Sequence, residues 1–335
     1  MAHNSGALIQ HQGGVQKLIA FRTPERFQTQ PELSVFEACR LCMFHGYMEH
    51  KKRCFLEEPK WRTIPWVKHP EAKTLLSLLY DQMVQLPGIL DDMEALRTKK
   101  RSSPADVLSI SQNVYAQLRE LFSWRATWEA EYPSCAFEVP VSDPSVPFST
   151  ALHYTNLLRA IELAIYNTIY FLLYRVGRIL MGPDFNPTTA ATSISITRTN
   201  PSLILPSDQR TVYEIAMEIL RSVPYALLEP HQNGGSFQFI FPMRVVVEVI
   251  REGSKEWDYL KRTFAGIADN AGFVMARRMM PAGICGRMLM DEDINSYGHY
   301  LATPHTTPEY VVPMRRQEVN GPTRRIPRMG QASGE

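Results

Sequence analysis

Cysteine is scarce in these 335 residues: Cys39, Cys42, Cys54, Cys135 and Cys285 make an odd five. In a chain this long, that count argues against a secreted disulfide framework and for reduced thiols. Net charge is nearly absent as well, with 36 Lys and Arg against 34 Asp and Glu, a formal +2. No overall basic excess announces nucleic acid. Residues 1–21 hold no continuous apolar stretch of signal-peptide length, because His, Gln and Gly interrupt them. The most apolar run, Ile161 to Leu173, contains Glu162 and Asn167 and is flanked by Arg159 and Arg175. A membrane-crossing helix needs about 20 mostly apolar residues, so this run reads as a core helix and no membrane association is expected. There is no Gly-x-Ser-x-Gly elbow, phosphate loop or dinucleotide fingerprint, and Asn233-Gly234-Gly235 reads only as a turn. No internal repeat recurs at a fixed period.

What is present is an ordinary globular balance, 44% hydrophobic and 21% charged, with helical spacing through most of its length. The expected class is all-α: a large irregular helical bundle with Pro-rich loops. Residues 1–32 read as a polar N-terminal segment, 33–290 as the helical domain and 291–335 as a Pro- and Arg-rich tail. Val35, Phe36, Cys39, Cys42 and Met43 line one helical face. Prolines 59, 65 and 70 break the helix that follows, and Trp61 and Trp66 should pin that loop as structural anchors. Helices are expected over about 71–85 and 89–97, with Leu86-Pro87-Gly88 between them. Ser103-Pro104-Ala105-Asp106 supplies a cap, a first-turn proline and an acid for a helix to about Glu131. Trp124 and Trp128 are its anchors. Residues 134–147 read as irregular, 149–180 as the longest helix and 184–206 as an exposed loop. Ser207 suits a cap for the next helix. Phe239 to Ile250 admits a lone strand by residue type, but a helix from Pro242 to Glu252 fits better; another is expected over 254–280.

Three constellations raise chemistry. Cys39-x-x-Cys42 with His45, His50 and Cys54 contains enough ligand types for one zinc. However, Cys39 and Cys42 share a face with Phe36 and Met43, as small core residues do, and the two histidines are not on one face. No metal and no cofactor is therefore expected, and five cysteines cannot make a six-cysteine cluster. Asp91-Asp92-Met93-Glu94 resembles the aspartate-rich magnesium motif of helical terpene synthases, which gives the alternative function: a magnesium-dependent enzyme acting on prenyl diphosphates. Against it, Ala95 stands where the next carboxylate is needed and no partner acidic triad follows. Cys285 beside Arg287 has no base partner. No catalytic residue is expected. The short basic runs Lys99, Lys100, Arg101 and Arg315, Arg316, Arg324, Arg325 suit nuclear import or solvated surface.

A further set of segments is carried in order across about residues 11–280. It comprises His11-Gln12-Gly13-Gly14-Val15 with Leu18-Ile19 and Arg22-Thr23-Pro24; Phe55-Leu56, Pro59-x-Trp61 and Ile64-Pro65-Trp66; and Leu86-Pro87 with Leu90. Then come Leu121, Trp124 and Trp128 before an apolar helix with Tyr170 and Leu173; Ile215-Ala216 with Arg221-Ser222-Val223-Pro224-Tyr225; and Phe241-Pro242 with Trp257, Ile267 and Gly272. Together they resemble the regulatory region of fungal-specific zinc-cluster transcription factors. That family carries Arg-Gly-Pro where this chain has Arg22-Thr23-Pro24. The resemblance implies an all-helical, non-enzymatic domain in transcriptional control, located in the nucleus or alternatively the cytoplasm. It implies protein partners, a zinc-cluster factor or a second copy, and no sequence-specific DNA binding by the chain alone. It also implies helices ahead of the His-x-Gly-Gly stretch, so the chain reads as opening partway into that domain.

Overall fold

A computed structural model describes residues 3–98, 103–208, 211–270 and Ala276. The chain is predominantly helical, 69% by residue, with one small two-stranded sheet among the described residues. The all-α class expected from the sequence is therefore what the structure has. The helices are α1 (His3–Arg22), α2 (Glu32–His50), α3 (Pro59–Thr63), α4 (Leu75–Met83) and α5 (Leu86–Thr98). They continue as α6 (Pro104–Glu131), α7 (Leu157–Met181), α8 (Val212–Ala226), α9 (Gln232–Val246) and α10 (Lys255–Asn270). The hairpin β1 (Ala136–Pro140) and β2 (Thr150–Tyr154) is antiparallel, with Ala136 opposite Tyr154 and Pro140 opposite Thr150.

Local chemistry explains the strongest elements. Ser103 caps α6 through a reciprocal pair with Asp106, and Pro104 occupies the first turn, where its missing amide costs nothing. Thr211 and Glu214 make the same arrangement at α8. At α7, the Asn156 side chain accepts from the Arg159 amide. The centre of α7 is buried on every side, from Arg159 to Leu173. It is long and apolar enough to cross a membrane, but 83% of its apolar stretch is buried inside this domain. It is the hub on which α4, α6, α8, α9 and the hairpin pack.

The apolar interior falls into two clusters. The larger surrounds α6, α7, α8 and α9. The smaller holds Ile19, Phe27, Leu33, Phe36, Met43, Cys54, Leu56, Trp61, Trp66 and Val84. Helix α2 feeds both, with Leu41, Phe44 and Met48 on the larger side and Phe36 and Met43 on the smaller.

Several sequence expectations need correction. The stretch read as a polar N-terminal segment forms α1 and a short 3-10 turn, Pro24–Phe27, and Ile19 and Phe27 are core residues. Leu86-Pro87-Gly88 opens α5 instead of ending α4, because proline is tolerated where a helix has no amide to bond. The segment after α6 is irregular only in part: Ala136–Pro140 forms β1 and pairs with β2, so the helix expected from Ser149 begins at Leu157, and α6 is longer than α7. Residues 184–206 are not an exposed loop, since Asn200 is fully buried and Leu203 and Leu205 are buried as well. Thr211, not Ser207, caps α8. Asn233-Gly234-Gly235 lies inside α9, not in a turn, and the helix expected from Pro242 to Glu252 instead runs Gln232–Val246 with Pro242 inside it. A side chain at Gly235 would strike the Ala226 carbonyl, so glycine there permits the close approach of α8's end. Helix α10 is described only to Asn270, and the expected tail 291–335 lies outside the described residues.

Thr23 is one of three non-glycine residues with positive φ among those described, with Lys51 and Ser134. Its φ of 59° and ψ of 158° lie in a region that glycine occupies freely and a β-branched residue does not. A Thr23→Gly variant should therefore gain about 1 kcal/mol, the relieved strain of about 1–3 kcal/mol less glycine's added unfolded-state entropy of ~0.5–1 kcal/mol. Denaturant unfolding checks this; a lowered midpoint would contradict it.

Candidate functional site

The four tryptophans expected to anchor the fold are all buried. Trp61 stacks among Phe27, Phe36 and Phe55, at centroid separations of 6.2, 5.8 and 5.0 Å. Trp66 meets the Phe36 ring edge-on at 5.9 Å, and the Arg40 guanidinium and Lys73 ammonium lie over it at 5.3 and 4.6 Å. Arg40 is itself buried and pairs with Asp81, which also meets Lys73 at 2.6 Å. Trp124 donates to the Leu75 carbonyl at 2.9 Å and stacks on Tyr166. Trp128 donates to Glu162 at 2.9 Å.

The cysteine group does not converge. Cys39 and Cys42 are half-buried, Cys54 and Cys135 are buried, and all four are free thiols. Among the described residues, no three His, Cys, Asp or Glu side chains are grouped to hold a metal ion. Burial raises the Cys39 and Cys42 thiols and pushes Cys54 up to about 12 and Cys135 to about 11. These thiols stay protonated near neutrality and are poor nucleophiles. Cys285 lies outside the described residues.

His45, counted with that group, does something else. Its Nε2 is buried without a hydrogen-bond partner among the described residues, and its ring lies against Phe44 and Phe241 at 5.7 and 5.2 Å. Burial, with a smaller push from Arg244, lowers it to about 4. The folded chain thus binds fewer protons than the unfolded chain between that value and the ordinary 6.5. The stability His45 contributes is complete above 6.5 and is lost as pH falls through 4. Against a His45→Gln variant, the wild type should lose about 3 kcal/mol across this window, at ~1.4 kcal/mol for each pH unit that it spans. Urea titrations at several pH values test it; parallel curves for the two proteins would contradict it.

The acidic run is engaged by a basic one. Lys52 Nζ lies 2.9 Å from Asp91, and Arg53 pairs with Asp92 at 2.6 Å and with Glu57 at 2.5 Å. These contacts tie the end of α2 to α5. The basic residues Lys99, Lys100, Arg101, Arg315, Arg316, Arg324 and Arg325 lie outside the described residues.

Two hollows stand out among the described residues. An open cleft of about 290 Å3 lies between α1 and α3, with Phe55 and Trp61 as its apolar wall and strained Thr23 on its rim. Glu25, Glu58 and Lys60 complete it, the last two paired at 2.8 Å. The other, between α7 and α8, has about 10 Å3, room for one water molecule. Tyr166, whose buried hydroxyl has no partner among the described residues, borders it.

The densest polar assembly is a joint, not a pocket, and sequence reasoning missed it. Arg125 and Glu129, one turn apart on α6, are both fully buried and pair at 2.7 Å. Glu129 also accepts from the Thr199 and Asn200 amides at 3.0 and 3.1 Å, and from both their side chains. Asn200 in turn accepts from the Cys135 and Ala136 amides at 2.7 and 3.1 Å and donates to the Tyr132 carbonyl at 2.9 Å. Burial would raise the Glu129 carboxyl, but Arg125 and these donors hold it below its ordinary value. Nearby, Glu218 accepts from Asn167 and from the Ile204 amide at 2.8 and 2.7 Å. The i, i+4 spacing of Arg125 and Glu129 was visible in the sequence; nothing in it marked Asn200 as their partner. Comparison with known proteins finds no matching family model, no matching curated protein and no matching solved structure.

Proposed function

We propose that this chain is a non-enzymatic helical domain of the transcription-regulator type, acting in the nucleus through protein partners and lacking a DNA-binding module of its own. One observation carries the reading. Thr23 holds the backbone conformation of a glycine, in the tripeptide where the fungal zinc-cluster regulatory region carries Arg-Gly-Pro. A threonine strained into a glycine's place is what substitution within an inherited fold produces. Other segments of the resemblance serve as structural joints: Trp61 and Trp66 seat the proline-rich loop, and Leu86-Pro87 opens α5.

The polar chemistry favours the same reading. Buried Arg125 and Glu129 are spent on each other and, for Glu129, on backbone amides at the joint of α6 and the hairpin. An enzyme binding magnesium diphosphate through Asp91 and Asp92 would first have to release Lys52 and Arg53 from them.

Specific DNA recognition needs both phosphate neutralisation and an element seated in a groove. The isolated chain is expected to show only weak, salt-sensitive, sequence-independent binding. Selection from a random duplex library at physiological salt tests this. Enrichment of one defined sequence would make the chain a DNA-binding protein in its own right.

A further inference from the structure

Five ionisable side chains lie buried in one chain of contacts around Trp128: Arg125 and Glu129 on α6, Arg159 and Glu162 on α7, and Glu218 on α8. They count three carboxylates against two guanidinium groups. A buried charge is tolerated when it is paired and hydrogen-bonded, and the three carboxylates differ sharply in that respect. Glu129 accepts from Arg125, Thr199 and Asn200, and Glu218 from Asn167 and the Ile204 amide. Glu162 accepts one hydrogen bond among the described residues, from the neutral indole of Trp128. Arg159 Nη1 comes within 3.1 Å of Glu162, yet it makes no directed hydrogen bond, and its guanidinium rests 3.6 Å from the centre of the Tyr132 ring. The surplus proton of this joint has one natural seat.

We infer that Glu162 is a buried proton-binding site, whose exchange of a proton with solvent sets how the Arg159 guanidinium is oriented. With Glu162 neutral, Arg159 stays flat on the Tyr132 face; with the carboxylate formed and its proton passed to solvent base, Arg159 Nη1, already 3.1 Å away, turns into line with it as a hydrogen-bond donor. Tyr132 closes α6, and its carbonyl is held by Asn200, which also holds the first amides of the hairpin. The proton is thus coupled to the joint that seats β1 on α6. The groups facing this joint are Arg125, Trp128, Glu129, Glu131 and Tyr132 from α6, and Arg159 and Tyr166 from α7. Cys135 and Tyr154 face it from the hairpin and Glu218 from α8. Burial pushes the Glu162 carboxyl up to about 7, against the opposing pull of the Trp128 hydrogen bond and the Arg159 charge. The sign is opposite to that of His45. Its contribution to stability is complete below the ordinary 4.5 and is lost as pH rises through 7.

Carboxyl carbon NMR of the intact chain, labelled at glutamate, reads this directly and separates it from every histidine. One glutamate resonance should titrate near 7 and vanish in Glu162→Gln, and the tryptophan fluorescence of the wild type should change with the same midpoint. Should Glu162→Gln fail to fold, Trp128→Phe gives the second reading. It removes the bond that favours the carboxylate, so the midpoint must move upward. Glutamates that all titrate within about one pH unit of the ordinary ~4.3, or an unmoved midpoint in Trp128→Phe, would overturn the inference.

Discussion

Replacing Glu129 by alanine is expected to lower folding stability by about 3–5 kcal/mol, because it leaves a fully buried guanidinium without its counter-charge. Arg125 is 0% exposed. The same substitution strips the acceptor from Thr199 and Asn200, which hold the start of the hairpin. In a domain of this size each kcal/mol moves the thermal midpoint by roughly 2–4 °C, so a fall on the order of 10 °C is expected. A double variant, Arg125→Met with Glu129→Leu, should recover part of the loss, since an apolar pair replaces a desolvated ionic one. It should not recover all of it, because Asn200 remains buried without the carboxylate. A double variant less stable than Glu129→Ala alone would rule out the unpaired guanidinium as the source of the loss.

Trp66→Ala should be of similar size, about 3–5 kcal/mol, the usual cost of truncating a buried aromatic. Three neighbours lose a partner at once: the Phe36 ring, the Arg40 guanidinium and the Lys73 ammonium. Trp66→Phe isolates the reason. The indole Nε1 is buried without a hydrogen-bond partner, so phenylalanine sacrifices no hydrogen bond and keeps an aromatic face for both cations. Its cost should stay clearly below that of Trp66→Ala, since fewer buried atoms are removed and a smaller cavity is left. Equal losses for the two variants would mean that the indole nitrogen, not the ring face, anchors the loop.

Parts of this fold were legible in the sequence for identifiable reasons. Helix α6 was readable because Ser103, Pro104 and Asp106 carry their meaning locally, and a cap needs no distant partner. The core character of α7 was readable from its apolar run alone. The hairpin was hidden because Pro140, Pro144 and Pro147 suggested irregular chain, while Thr150–Tyr154 pairs only with a strand ten residues back. Gly234-Gly235 carries an ambiguous signal: the same absence of a side chain that marks a turn also lets α8 and α9 approach. Asn200 was illegible in a Thr- and Pro-rich stretch, since its role depends on an acid 71 residues away. The structural anchors could be named in advance, because a tryptophan in a proline-broken loop has few other uses. The polar joint could not, because its members share no local pattern.

If this domain influences transcription through other proteins and carries no DNA-reading element of its own, tethering it to a promoter should be enough to reveal its effect. The chain is fused to an unrelated DNA-binding domain and a reporter carrying the matching sites is read, with the DNA-binding domain alone as reference. A second fusion carrying Glu129→Ala serves as the destabilised control. The wild-type fusion is expected to change reporter output, up or down, and Glu129→Ala to weaken the change, while the untethered chain has no effect on the same promoter. A stable, nuclear wild-type fusion that leaves reporter output equal to that of the DNA-binding domain alone would show that the domain does not act in this way.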